Sequence, residues 1–100
     1  MIDPDVRARV LREYPVCFYC GMRQSSEVHH AIIPRQKGNG KLDVIENLIG
    51  VCQPCHSIRR GKMHNFEFRQ KVWHDKRMRG YDMNKWYEGL NLRIKDNYGG

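Results

Sequence analysis

Two Cys-x-x-Cys pairs, Cys17–Cys20 and Cys52–Cys55, enclose 31 intervening residues in a chain of 100. A chain this short buries little apolar surface, and domains of its size commonly add a covalent or metal staple. Each pair presents two sulfurs about 3.5–4 Å apart, which suits two corners of a tetrahedral zinc site. Two pairs fill the coordination sphere and leave no open position, so the Zn²⁺ they bind is structural and not catalytic. Disulfides, or a thioredoxin-like redox pair, are the competing readings. No βαβ pattern surrounds either pair, and thiols in a reducing cytoplasm are more often metal ligands. The gap exceeds the roughly 15–20 residues of simple zinc ribbons. The extra length fits a β-hairpin inserted between the two knuckles.

The chain carries a formal net charge of +7. That balance favours polyanionic partners: DNA, RNA or an anionic surface. The charge is concentrated. Ser57 to Gly80 contains Arg59, Arg60, Lys62, Arg69, Lys71, Lys76, Arg77 and Arg79 against Glu67 and Asp75, a net of +6. The bland explanation is a solvated helix face, but this run directly follows the last Cys-x-x-Cys. Met1 to Asp5 is acidic and leads into no apolar run, so no signal peptide is expected. No stretch approaches the ~20 apolar residues of a membrane span. A membrane partner is therefore not expected, and a cytoplasmic location is.

Several elements are legible. Pro4 to Tyr14 reads as a helix capped by Asp3, with Val6, Val10 and Leu11 on one face and Pro15 as its stop. Glu27 to Ile33 reads as a strand ended by Pro34, and Asn47 to Val51 as its return. Arg35 to Lys41, with Gly38-Asn39-Gly40, is the loop between them. A helix begins near Pro54 and carries His56, Arg59 and Arg60. Met63 to Met78 reads as a longer helix closed by Gly80, and Asp82 caps another that ends at Gly89. Alternation of Leu90, Leu92 and Ile94 with polar residues suggests a closing strand. The expected class is α+β, in a single domain spanning residues 1–100.

His29 and His30 sit on the hairpin, and His56 directly follows Cys55. Adjacent strand residues point to opposite faces, so His29 and His30 share a side only where the strand ends or bulges. One division of labour is a ring on a cation and its neighbour on the substrate. Asn47, in the return of the hairpin, has an amide suited to bonding backbone across the loop, although a lone Asn is commonly an ordinary turn residue. His64 and His74 lack such a setting and are assigned to surface or core.

At these residues the chain resembles the HNH endonuclease family in its four-cysteine form. The matching text is Cys17-Phe18-Tyr19-Cys20-Gly21, then Glu27-Val28-His29-His30-Ala31-Ile32-Ile33-Pro34-Arg35, then Asn47 through Cys52-Gln53-Pro54-Cys55-His56. The resemblance covers about residues 17 to 62. The remainder, about 63–100, is basic and helical and is similar to small phage-type HNH proteins. The resemblance implies a ββα-metal, treble-clef-like core stapled by the four-cysteine zinc site, with an N-terminal helix and C-terminal helices. It implies His30 as the general base, His29 and His56 as ligands of a catalytic divalent cation, and Asn47 as the residue that steadies the loop. Where some relatives carry a further histidine one helical turn after the last, this chain has Arg60. Two imidazoles with water and phosphate oxygens admit Mg²⁺ or Mn²⁺, and also suit Ni²⁺ or Zn²⁺.

The leading expectation is thus a metal-dependent DNA endonuclease giving 5′-phosphate and 3′-hydroxyl ends. Arg35, Arg59, Arg60 and Lys62 are its candidate nucleic-acid contacts. The setting would be a bacterial cytoplasm, or a host cytoplasm for a phage-encoded chain, with phage packaging proteins as candidate partners. The alternatives are a non-catalytic zinc-stapled module that binds nucleic acid, and a zinc domain for protein contacts.

Overall fold

The computed structural model describes residues 2–34, 40–59 and 61–90. Helix α1 (Pro4–Glu13) leads to the antiparallel strands β1 (Glu27–His30) and β2 (Leu48–Val51), and helix α2 (Gln53–Ile58) follows at once. Helices α3 (Phe66–Met78) and α4 (Met83–Gly89) complete the described chain, with 3-10 turns at Gly40–Leu42, Ile45–Asn47 and Lys62–His64. The architecture is α+β, and its centre is a β-hairpin followed by a helix.

Local chemistry accounts for the helix ends. Asp3 accepts from the amide of Asp5 at 2.8 Å and Pro4 opens α1, which relieves a free amide where proline lacks one. Asn65 caps α3 by accepting from Phe68 at 2.7 Å, and Asp82 caps α4 by accepting from Lys85 at 3.0 Å. Helix α3 closes in a Schellman motif. Gly80 takes φ 95°, its amide donates to Arg77 O at 3.0 Å, and that of Tyr81 donates to Lys76 O at 3.1 Å.

Several boundaries differ from the sequence expectation: Tyr14 is the C-cap of α1, Asn47 falls in a 3-10 turn ahead of β2, and Arg59 is the C-cap of α2 rather than within it. The strand expected over Glu27–Ile33 stops at His30, because the backbone of Ile32 and Ile33 is bonded to the side chain of Asn47 and not to a neighbouring strand. The helix expected from Met63 starts at Phe66, because Asn65 interposes its cap and Lys62–His64 forms a separate 3-10 turn. The closing strand expected after Leu90 falls on residues outside the described ones; Leu90 itself is the buried C-cap of α4.

The strands pair Glu27 with Val51, Val28 with Gly50, His29 with Ile49 and His30 with Leu48. The C-terminal end of α1 rests on this hairpin at Gly50. A Cβ there would lie 2.8 Å from both Cβ and O of Tyr14, so the close approach requires glycine. Val10, Ala31, Ile32, Leu42, Leu48, Ile49, Val51, Met63 and Val72 are fully buried and form the core between α1, the hairpin and α3. Phe18, in the first knuckle, packs edge-on against both Tyr14 and Phe68.

A polar clasp joins α1 to the end of α3. Tyr14 donates to Asp75 Oδ2 at 2.6 Å, Arg79 Nε donates to the same oxygen at 2.8 Å, and Tyr81 donates to Glu13 at 2.7 Å. Burial, and then the bond to Asp75, pushes the Tyr14 phenol well above its ordinary range. Among the described residues, no helix is long and apolar enough to cross a membrane.

Candidate metal and active site

The four cysteine sulfurs lie within 4.8 Å of one another. All four are free thiols, with Cys17, Cys52 and Cys55 buried. The Sγ atoms of Cys20 and Cys52 are 3.9 Å apart, close to the ~3.8 Å edge of a tetrahedron with zinc–sulfur bonds of ~2.3 Å. The knuckle is shaped for thiolates. The Cys20 amide points at Cys17 Sγ at 3.5 Å, and Gly21 takes φ 67° to close the turn onto Cys17 O at 2.9 Å. The backbone amide of Met22 leads in pulling the Cys20 thiol down to about 6, whereas burial pushes that of Cys55 up to about 12. Four sulfurs at this spacing fit a Zn²⁺-like ion, and the cluster joins the first knuckle to the start of α2.

Asn47 is the hinge between that staple and the histidines. It is fully buried. Its Oδ1 accepts from Ile32 N at 3.0 Å and Ile33 N at 2.8 Å, and its Nδ2 donates to Ile33 O at 3.0 Å and Leu42 O at 2.9 Å. Its own carbonyl accepts from Ala31 N at 2.8 Å. One side chain thereby stands in for the ladder that the chain beyond His30 lacks, and it uses the full bonding capacity of the amide.

Because β1 ends at His30, the two adjacent histidines serve one cleft. His29, His30 and His56 line it together with Val28, Pro34 and His64, and its volume is about 420 Å³. His29 is 2% exposed, and its ring meets that of His56 edge-on with centroids 5.5 Å apart. His30 is held differently: its Nε2 lies 2.7 Å from Asp43 Oδ1. His56 is delivered by α2, whose first turn the cysteines anchor; its amide donates to Cys52 O at 3.0 Å.

Two residues at the site escaped the sequence expectation: His64 lines the cleft, and Asp43 bonds one of its lining histidines. Asp43 bonds His30 at 2.7 Å, and its only sequence signal is its place four residues before Asn47. His64 lies 4.9 Å, centroid to centroid, from His29, although the sequence assigned it to surface or core. The helix cap Asn65 directly behind it was the available sign that His64 ends a turn. His74 is exposed on α3, as one of the expected options had it.

The candidate nucleic-acid contacts divide. Arg59 caps α2 and lies 6.0 Å from the Tyr19 ring, in a groove with Arg23, Met22 and Ile58 beside the cysteines rather than in the histidine cleft. Lys62 is exposed on the 3-10 turn that carries His64. Arg35 and Arg60 lie outside the described residues.

The HNH endonuclease family model matches residues 17–61. That stretch runs from the first knuckle through the hairpin and past the end of α2, and in it the chain is similar to HNH endonucleases, a family whose ββα-metal fold the α+β arrangement fits. Nuclease chemistry is the general activity this family implies. No curated protein and no solved structure shows significant similarity to the chain.

Proposed function

We propose that the chain is a divalent-cation-dependent DNA endonuclease in which His30 is the general base. The observation that carries this reading is that His30, bonded to Asp43, lines one cleft with His29 and His56. A neutral imidazole near pH 7 is suited to take a proton from water. With its Nε2–H donated to Asp43, His30 keeps the lone pair of Nδ1 free to do so.

The attacking water gives its proton to Nδ1 of His30 as its oxygen bonds to phosphorus. The bond from phosphorus to the 3′-oxygen breaks, and the departing oxygen takes a proton from solvent. The products carry a 5′-phosphate and a 3′-hydroxyl. A cation held by His29 and His56 would neutralise the phosphate and stabilise the departing oxygen. Asn47 acts at one remove. It fixes the turn that ends β1, so that His29 and His30 open onto the same space. Arg59, Lys62 and the exposed Lys71 and Arg77 of α3 supply non-specific attraction to the phosphate backbone, which weakens steeply with salt.

Supercoiled plasmid nicking, run across Mg²⁺, Mn²⁺, Ni²⁺ and Zn²⁺, tests the reading. His30→Ala should stay folded and zinc-loaded yet lose cleavage by ~10²-fold or more. Binding without turnover in every cation would leave a zinc-stapled nucleic-acid-binding module in its place.

A further inference from the structure

We infer that His64 supplies a third imidazole to the cation site of His29 and His56. The inference rests on the two-histidine site proposed above and adds to it a residue beyond the matched stretch, which ends at position 61.

The placement is specific. The ring of His29 has two others beside it, that of His56 at 5.5 Å and that of His64 at 4.9 Å between centroids. His64 is therefore nearer to His29 than the partner that the family pattern assigns. Its position is also pinned. The turn Lys62–His64 hangs from Arg59, whose carbonyl accepts from Lys62 at 3.0 Å and from Met63 at 3.2 Å. Met63, next to His64, is fully buried in the core, and Asn65, on its other side, caps α3. A histidine fixed from both sides, with Nδ1 withdrawn from solvent, is not a free surface side chain.

The sequence departs from relatives that place a further histidine one helical turn after the last, since it has Arg60 there. Helix α2 ends at Ile58. The chain turns back through Lys62–His64 and brings an imidazole into the same cleft from another direction. Among the described residues, only the cysteines place three or more ligand atoms within 4.8 Å of one another. Closing the histidine set therefore requires ring rotation when a cation enters. Three imidazoles form a borderline-soft donor set, which favours Co²⁺, Ni²⁺ or Zn²⁺ over Mg²⁺, an ion that prefers oxygen ligands.

Zinc-loaded protein titrated with Co²⁺, followed by calorimetry and by d–d absorption, reads the site without reference to cleavage. Thiolate-to-cobalt charge transfer would report any exchange at the cysteines. The wild type should bind one additional Co²⁺. Loss of an outer-shell partner alone typically weakens metal binding roughly 10–100-fold, so His64→Ala should weaken it by ~10-fold or more and change the d–d spectrum. His64→Gln, which preserves polarity and bulk, should not restore it, and His74→Ala should match the wild type. Circular dichroism and retained zinc establish folding in each variant. Wild-type affinity and spectrum in His64→Ala, with binding lost in His56→Ala, would overturn the role of His64 and leave the two-histidine site standing. Unchanged Co²⁺ binding in His29→Ala and His56→Ala would remove the site itself, and the role of His64 with it.

Discussion

Oδ1 of Asp43 lies 2.7 Å from Nε2 of His30, and both side chains are largely withdrawn from solvent. A carboxylate in that position accepts the Nε2 proton, fixes the ring and selects the tautomer whose Nδ1 is basic. Asp43→Asn can instead present an amide N–H to Nε2 and favour the opposite tautomer. The expected result is a fall in kcat of ~10²-fold with KM nearly unchanged, since the ring is misset and the DNA surface is not. Asp43→Ala in a His30→Ala background should cost little more than His30→Ala alone, because the carboxylate works through that ring. Additive losses in single-turnover cleavage would place Asp43 outside the base's function.

Asn47 makes four buried side-chain hydrogen bonds beside the histidines. Truncation to alanine leaves the amides of Ile32 and Ile33 and the carbonyl of Leu42 buried without their partner. Each buried group so orphaned costs about 1–3 kcal/mol. Urea denaturation of zinc-loaded Asn47→Ala should therefore show a loss of ~3 kcal/mol or more, a large share of the stability of a small domain. Asn47→Asp should be similarly harmful despite its shape. It replaces the Nδ2 donor with a second acceptor facing two carbonyls. A stable, active Asn47→Asp would show that the four bonds matter less than the space they occupy.

What the sequence disclosed, and what it hid, follows from the range of each interaction. The cysteine pairs are local motifs whose spacing carries the metal geometry, and the cap residues Asp3 and Asp82 act within a few positions of themselves. Gly21 and Gly80 are legible for the same reason. His29, His30, Asn47 and His56 are legible as a pattern, and the structure gathers the three histidines in one cleft with Asn47 beneath. The run Ala31-Ile32-Ile33 misleads because β-branched residues resemble a strand, whereas their backbone is claimed by a side chain some fourteen positions away. Asp43 reaches His30 from a loop, and His64 reaches the cleft from a separate turn; no periodicity encodes such meetings. The need for glycine at position 50 arises from Tyr14, in another element altogether.

That contact at Gly50 gives a prediction free of any assumption about activity. A methyl group there meets backbone as well as side chain at 2.8 Å, and neither gives way cheaply. Gly50→Ala should destabilise by about 1–3 kcal/mol, the usual cost of overpacking. It should do so with the zinc site intact, measured by thermal unfolding at fixed zinc. An alanine variant as stable as the wild type would mean that α1 slides along β2 at no cost.

The cysteine cluster predicts coupling of metal to fold. Four thiolates joining the first knuckle to α2 hold together the hairpin between them, and structural zinc contributes folding energy directly. Chelation, or Cys52→Ser, should abolish the cooperative thermal transition and the near-ultraviolet signal of Tyr14 and Phe18. Re-addition of Zn²⁺ should restore them for the wild type alone. An unchanged melting curve after verified zinc removal would assign the cluster a role other than a staple.

Lys76 sets an unusual pH dependence. It is fully buried, and among the described residues its Nζ has no hydrogen-bond partner. Nζ lies 4.7 Å from the Tyr14 ring centroid and 5.3 Å from that of Tyr81. Burial lowers its pKa from 10.5 to about 8, with Glu13 and then Asp75 opposing the shift. In the unfolded chain the amine keeps its ordinary value. Below pH 8 it is charged in both states, and the folded state bears the full cost of the buried charge. Between about 8 and 10.5 the folded amine is neutral while the unfolded chain still binds the proton, so stability rises with pH. The shift corresponds to roughly 3 kcal/mol across that window. Above about pH 10 the trend reverses, because the phenols of Tyr14 and Tyr81 are raised in the folded state and the unfolded chain ionises first. Comparison with Lys76→Met isolates the lysine, since the tyrosines and cysteines are common to both proteins. The stability of the variant relative to the wild type should fall by roughly 3 kcal/mol between about pH 7 and pH 10.5 in urea denaturation at saturating zinc. A difference constant over that range would mean that the two aromatic faces solvate the ammonium as well as water does.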